Sequence, residues 1–188
     1  MSNSNTANLY IVSAPSGAGK TTLCRAVLDR LKCITYSVSY TTRKPRKGEH
    51  NGVDYNFITT KDFKKGIETG RWAEWAEVYG NYYGTSAEFL DNCLSSGNDI
   101  LLDIDVQGAM QIIERYLDSI TVFILPPSLD VLRSRLESRG ADSKQSIVKR
   151  LAAAEKEMEK KDLYQHVIVN DNLSDAVSEL IKIIEKYR

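Results

Sequence analysis

Ser13-Ala-Pro-Ser-Gly-Ala-Gly-Lys-Thr-Thr22 decides the fold of this chain. Leu9 to Ala14, leading into it, is a short and mostly apolar run of strand type. After it, Leu23, Ala26, Val27, Leu28 and Leu31 recur at helical spacing. A strand, a glycine-rich turn and a helix form the context in which G-x-x-x-x-G-K-[ST] cradles phosphate. The pattern is met from Gly19 onward, with Ala14 in place of its first glycine. That departure is mild, because a residue at a strand end has no need of positive φ. Gly17 and Gly19 permit the turn and the close backbone approach that a side chain would obstruct. Consecutive N–H groups with a helix N-terminus behind them then offer a seat for a di- or triphosphate. Lys20 is placed to reach the outer phosphates, and the Thr21 hydroxyl to ligate a magnesium ion.

Working outward, short apolar runs recur at Ile100–Ile104, Ile120–Leu125 and Val167–Val169, followed by helix-compatible segments at 107–116, 128–138 and 173–186. Buried strands alternating with helices predict an α/β doubly wound core, a parallel sheet covered on both faces. Residues 37 to 92 break that rhythm. The polar stretch Thr41–Gly52 carries Pro45, Gly48 and an Asn-Gly turn, and is followed by aromatic, β-like runs at 53–58, 71–79 and 81–84. An inserted subdomain with its own small sheet is expected there, and a charged helical unit over about 127–162.

The 188 residues suit one domain, and a hydrophobic content of 42% can build a sizeable core. Lys plus Arg and Asp plus Glu balance at 25 each, which argues against a nucleic-acid partner held by a basic surface. Cys24, Cys33 and Cys93 are too few and too scattered for a disulfide framework or a zinc site. Residues 1–8 lack the basic and apolar regions of a signal peptide, and no apolar run reaches the ~20 residues needed to cross a bilayer. These features point to the cytoplasm and away from a membrane partner.

Phosphate-loop proteins divide broadly into switches, motors and small-molecule kinases. The guanine-reading N-K-x-D segment of a switch is missing, and a motor would be longer. Asp99-Ile-Leu-Leu-Asp-Ile-Asp105 has the form of a Walker B strand, with Asp103 as its magnesium partner. That leaves the kinases.

Five further motifs make the reading specific: Ser37–Glu49, Asn51–Phe57, Glu74-Trp75, Gly80–Thr85 and Asp103–Gly108. In this order they resemble the guanylate kinase family over about nine-tenths of the chain. The resemblance implies a P-loop nucleoside monophosphate kinase fold, with a core at 8–36, 93–126 and 163–188, a GMP-binding insertion at about 37–92 and a lid at about 127–162. It also implies ATP as donor, GMP (with dGMP) as acceptor, and Mg²⁺. Ala14, Pro15, Ser16, Gly17, Ala18, Gly19, Lys20, Thr21 and Thr22 are then the ATP-binding residues, joined by Asn170 near the adenine. Thr21 and Asp103 are the metal partners.

The implied acceptor site has a physical logic. A monophosphate needs cations and hydroxyls, and Arg43, Arg46, Tyr55 and Tyr83 match the family residues that hold it. Guanine offers N1–H and a 2-amino group, which ionised Glu74 and Asp105 accept while opposing the adenine N1 lone pair. Ser39 and Thr85 supply hydroxyls near O6, and Glu49 and Asp103 complete the GMP set. Read alone, Arg43 and Arg46 fit a solvated basic loop, and Glu74 fits the exposed side of the alternating strand Trp72–Glu77.

In the charged unit Ser128 reads as an N-cap and Gly140 as a helix stop. Arg135 and Arg139 share one helical face, and Arg150 follows a polar turn. Such charges otherwise form a solvated face; the resemblance makes them lid arginines that join Lys20 and Arg43 in catalysis. The run Glu155–Asp162 reads as a solvated helix, and His50 and His166 as surface or structural residues. Two alternatives remain at this level: a kinase for another nucleoside monophosphate, and a non-catalytic guanylate-kinase-like binding module.

Overall fold

The computed structural model describes residues 7–78, 80–138 and 143–188. Five parallel strands form the main sheet: β1 (Leu9–Ser13), β2 (Ile34–Tyr36), β7 (Asp99–Ile104), β8 (Ile120–Leu125) and β9 (His166–Val169). Their order is β2-β7-β1-β8-β9, with β1 at the centre. Side chains alternate across it, as a strand requires. Tyr10 and Val12 enter one buried cluster with Leu23, Val27, Val177 and Leu180, which belong to α1 (Lys20–Arg30) and α7 (Leu173–Tyr187). Leu9 and Ile11 enter the other, against Leu90 of α3 (Ala87–Ser95) and Ile112 of α4 (Val106–Arg115). The sheet is doubly wound, covered on both faces.

Register decides where ligands can bind. Val12 pairs with Asp103 and Ser13 with Ile104, so the phosphate loop and Asp105 leave neighbouring strand ends side by side. In open α/β sheets that carboxyl edge is where ligands lie.

A second, mixed sheet has the order β4-β3-β6-β5, from β3 (Tyr40–Thr41), β4 (Asn56–Phe57), β5 (Trp72–Val78) and β6 (Asn81–Ser86). It has its own small core. Phe63 of α2 (Thr60–Glu68) is fully buried and stacks on Trp72 at 4.5 Å and on Tyr82 at 5.3 Å between ring centroids. Such offset aromatic packing adds to simple area burial. Helices α5 (Leu129–Ser138) and α6 (Lys144–Met158) pack through Leu132, Leu136, Ile147, Leu151 and Ala154, and a 3-10 turn at Glu159–Leu163 leads to β9.

Several expectations need correction. The strand expected at 53–58 shrinks to Asn56–Phe57, because Asp54 N–H turns back to the His50 carbonyl and Gly52 takes φ +77°. Helices α2 and α3 and strands β2 and β3 are not among the expected elements. Of the polar turn at 141–145, Lys144 and Gln145 instead open α6, with Ser143 as N-cap. Ser128 does cap α5, accepting from Val131 N–H at 3.2 Å. Tyr79, Arg139 and Gly140 lie outside the described residues. Among those described, no helix is long and apolar enough to cross a membrane.

Candidate active site

The loop between β1 and α1 ends on Gly17 and Gly19, both at positive φ of 100° and 92°. Gly19 occupies the N-cap position of α1, where it offers no side-chain acceptor. The other six helices have side-chain caps: Thr59, Ser86, Asp105, Ser128, Ser143 and Asn172. Among the described residues, only α1 leaves its first-turn N–H groups for something else. Unsatisfied donors at the positive end of a helix dipole are an anion seat.

The loop is braced from behind. Asn170, buried at the end of β9, donates to the Ala18 carbonyl at 2.8 Å. Arg135 of α5 donates to the Ala18 carbonyl at 3.3 Å and to the Asn170 carbonyl at 2.9 Å. Leu132 and Leu136 press on Gly17 so closely that an added Cβ would lie 2.9 Å from each. Asn170 and Arg135 line a cavity of about 280 Å³ with Gly17, Gly19, Thr22 and Ser138.

A larger cavity, about 350 Å³, opens on the other side of the same loop. Lys20, Thr21 and Asp103 line its floor, and Lys20 Nζ pairs with Asp103. Burial works against the lysine's charge, but the Asp103 carboxylate outweighs it and raises the pKa. Arg43, Arg46, Tyr55 and Tyr83 come in from the small sheet. The Arg43 guanidinium forks onto both oxygens of Glu49 at 2.9 Å and sits 5.3 Å from the Tyr55 ring centroid. That fork, with the Arg46 N–H, holds the Glu49 carboxyl below its usual range. Glu49 therefore fixes Arg43 and is not among the cavity-lining residues.

Glu74 sits at the far end, on β5, only 4% exposed. A register shift between Trp72 and Glu74 makes this possible: the bulge buries Trp72 on Phe63 and still turns Glu74 inward. Beyond it the strand alternates, with Trp75 exposed, Ala76 buried and Glu77 exposed. Burial, followed by the Asp105 charge, pushes the Glu74 carboxyl up to about 7, although the Thr85 hydroxyl and Lys20 pull it down. Thr85 lies wholly buried behind Glu74 and donates to its Oε1 at 2.7 Å. Its hydroxyl is spent on the carboxylate. Asp105 caps α4 by accepting from Gly108 N–H at 2.8 Å, leaving its second oxygen uncommitted by that bond. Ser39 also lines the cavity.

Arg150 of α6 lines it too, donating to the Ser16 hydroxyl at 3.0 Å. The structure thus gathers Lys20, Thr21, Ser39, Arg43, Arg46, Tyr55, Glu74, Tyr83, Asp103, Asp105 and Arg150 around one cleft, with Asn170 and Arg135 across the loop. Glu49 and Thr85 stand one layer behind.

Sequence reasoning passed over Gln107, Val78 and Glu157, which also line the cleft. Glu157 corrects the reading of 155–162 as simply solvated: its carboxyl pKa is raised by burial and by Asp105. Its spacing of seven from Arg150, two turns along one face, was the available signal. Among the described residues no group of three or more His, Cys, Asp or Glu is arranged to hold a metal.

This geometry has relatives. The guanylate kinase family profile matches residues 6–187. A guanylate kinase of Geobacter metallireducens is 51% identical over 176 residues, covering 94% of this chain and 87% of that one. One from the Wolbachia of Brugia malayi is 48% identical over 181 residues, with 96% and 93% covered. The crystal structure of guanylate kinase from Anaplasma phagocytophilum superposes with a TM-score of 0.81 at 31% identity, over 97% of this chain and 86% of that one. A shikimate kinase of Bacteroides thetaiotaomicron, 15% identical with a TM-score of 0.50, shares the fold alone. The chain belongs to the guanylate kinase family.

Proposed function

We propose that this chain transfers the terminal phosphoryl group of ATP to GMP, giving ADP and GDP, with dGMP as a second acceptor. The observation that carries the reading is the buried Glu74, facing Asp105 in a cleft that runs to the uncapped N-terminus of α1. An acid-lined slot selects a base with donors on its edge, and the anion seat takes the phosphates.

In this reading ATP lies with its adenosine in the smaller cavity, by Asn170 and Arg135, and its phosphates on residues 14–22. GMP lies in the larger one, its base on Glu74, Asp105 and Ser39 and its phosphate on Arg43, Arg46, Tyr55 and Tyr83. A non-bridging oxygen of the GMP phosphate attacks the γ-phosphorus, and the bond to the β,γ-bridging oxygen breaks as ADP leaves. The attacking oxygen is already ionised, so no general base is needed. Lys20, Arg43, Arg150, Arg135 and Arg139 neutralise the charge that spreads over the transferring group and hold the two phosphates in line. Residues 127–162 act as a lid and about 37–92 as the GMP subdomain; closing them excludes water as a competing acceptor.

Thr21 and Asp103 fit Mg²⁺. Both are hard oxygen donors lining the cleft floor, and one hydroxyl with one carboxylate is the small protein share of a site completed by phosphates and water. When bound, the ion supplies charge neutralisation at the ATP phosphates. Such a reaction belongs in the cytoplasm, where the three free cysteines stay reduced.

The test is a coupled ATP assay with GMP, dGMP, AMP and dTMP in parallel. GMP turnover far above AMP and dTMP is expected. Comparable AMP turnover would refute the guanine slot, and GMP binding without turnover would refute the kinase.

A further inference from the structure

Strand β5 is an outer strand of the small sheet, so the backbone groups on its free side have no neighbouring strand to pair with. At Trp75 a single side chain takes them. The Trp75 N–H donates to Gln111 Oε1 at 3.2 Å, and Gln111 Nε2 donates to the Trp75 carbonyl at 2.8 Å. A carboxamide carries one acceptor and a donor side by side, as a peptide group does, so Gln111 stands where another strand would.

Gln111 belongs to α4, and that placement joins the two halves of the base slot. Glu74 immediately precedes Trp75 on β5, while Asp105 caps the helix that carries Gln111. Between them Gly108 leaves no slack: an added Cβ would lie 2.4 Å from Glu74 Oε2. Glu74 is held laterally by Thr85, but the clasp fixes how far its strand stands from α4.

We propose that Gln111 is a positioning residue for base recognition: its paired hydrogen bonds to Trp75 set the separation of Glu74 from Asp105, and with it the preference for guanine. The proposal rests on the GMP kinase reading above. The clasp is solvent-accessible, so water replaces its hydrogen bonds readily when they are lost. Its removal therefore acts on the slot more than on folding.

Two variants test this. Gln111→Met keeps length and bulk but removes both hydrogen bonds. Gln111→Glu keeps the acceptor for Trp75 N–H and sets a second acceptor against its carbonyl. Both should raise the KM for GMP about tenfold, because Glu74 is no longer held at the spacing from Asp105 that the base requires. The ATP KM should stay within about twofold and the melting temperature nearly unchanged. The GMP-over-AMP ratio of kcat/KM should fall by a similar factor. Because Gln111 acts through Glu74, adding Gln111→Met to Glu74→Gln should worsen GMP binding by less than about twofold. Unchanged GMP KM and base preference in both variants would overturn the proposal. Equal damage to the ATP KM with a lowered melting temperature would overturn it too, reducing Gln111 to a structural role. Wild-type turnover of GMP in the same assay tests the underlying reading separately: if absent, that reading fails; if present with insensitive variants, only the role of Gln111 fails.

Discussion

Lowering the pH from about 8 to 6 should weaken GMP binding about tenfold through one carboxyl, that of Glu74. Burial first, and the neighbouring Asp105 charge as the next raising cause, bring its pKa to about 7. Guanine presents donors, so it requires the ionised form; a protonated carboxyl would set its own O–H against them. Affinity therefore scales with the ionised fraction, which is about one-tenth at pH 6 and nine-tenths at pH 8. The acceptor phosphate itself takes up a proton near pH 6. A Glu74→Gln variant isolates that contribution, because whatever pH dependence it retains belongs to the phosphate. Calorimetric titration with GMP in two buffers of different ionisation enthalpy is the assay. At pH 7 binding should release about half a proton from Glu74, and the Glu74→Gln variant should lose that component. Wild-type and variant affinities that run parallel from pH 6 to 8, with no proton released at pH 7, would refute the reasoning.

The same carboxyl also has a stability cost of calculable sign. Its folded pKa lies above the ordinary value of 4.5, so its favourable contribution is complete below that value and is lost as pH rises through 7. At pH 8 a buried, ionised Glu74 costs about 3 kcal/mol, and at pH 5 less than about 1. Glu74→Gln should accordingly melt several degrees above wild type at pH 8, the gap narrowing towards pH 5. A gap that widens on acidification would contradict the burial argument. Loss of GMP recognition together with gained stability is the pattern expected of a site that holds a charge at the fold's expense.

Three other substitutions probe the remaining walls of the cleft. Lys20→Ala should lower kcat by about a hundredfold or more, since a preorganised cation on the donor phosphates is lost; steady-state rates within tenfold of wild type would contradict that role. Gly108→Ala should raise the GMP KM at least about tenfold and leave the ATP KM unchanged, because the new Cβ meets a Glu74 carboxyl that Thr85 prevents from retreating; an unchanged GMP KM would show the carboxyl can move aside. Asn170→Ala removes a buried hydrogen bond to Ala18, so denaturant titration should show a loss of about 1–3 kcal/mol and kinetics a raised ATP KM; loss of stability with ATP KM unchanged would detach Asn170 from the donor site.

What was legible in the sequence follows from how locally each feature is specified. The phosphate loop is contiguous because successive backbone N–H groups form it, so residues 13–22 disclose both the strand and the helix around it. The central strands β1, β7 and β8 are buried on both faces and read as mostly apolar runs, whereas the edge strand β9 leaves Val167 and Val169 exposed. Helix α2 is short and basic, with Phe63 and Gly66 as its buried residues, and its sign is the Thr59-x-x-Asp62 cap, in which Thr59 accepts from Asp62 N–H. Glu74 could be read as facing out or in, because a bulge decides between the two and a bulge leaves no mark in composition. The hydroxyls of Ser39 and Thr85 look alike in sequence; only packing sends one to the cleft and the other to the back of a carboxylate. Gln111 is illegible for a related reason, since it acts across elements distant in the chain, whereas Glu157 carries a single sign, its spacing of seven from Arg150.

The cations of the cleft are held in two different ways, and the difference suits the proposed reaction. Arg43 is forked onto Glu49, and Arg135 onto two backbone carbonyls, by partners that flank the cavities without filling them. These pairs hold the guanidinium planes in place, so little rotamer freedom remains to be lost when phosphate arrives. Lys20 and Asp103 are paired across the very floor that the donor phosphates would occupy. Were donor phosphates to draw Lys20 away, Asp103 would be left as a carboxylate in need of a cation, beside the Thr21 hydroxyl. A buried charge deprived of its partner is costly, so the one exchange that would seat the triphosphate would also create the demand for a divalent ion. In the proposed reaction donor and metal binding would therefore be coupled through a single ion pair, whereas acceptor binding at Glu74, at the opposite end of the cleft, would be coupled to a proton.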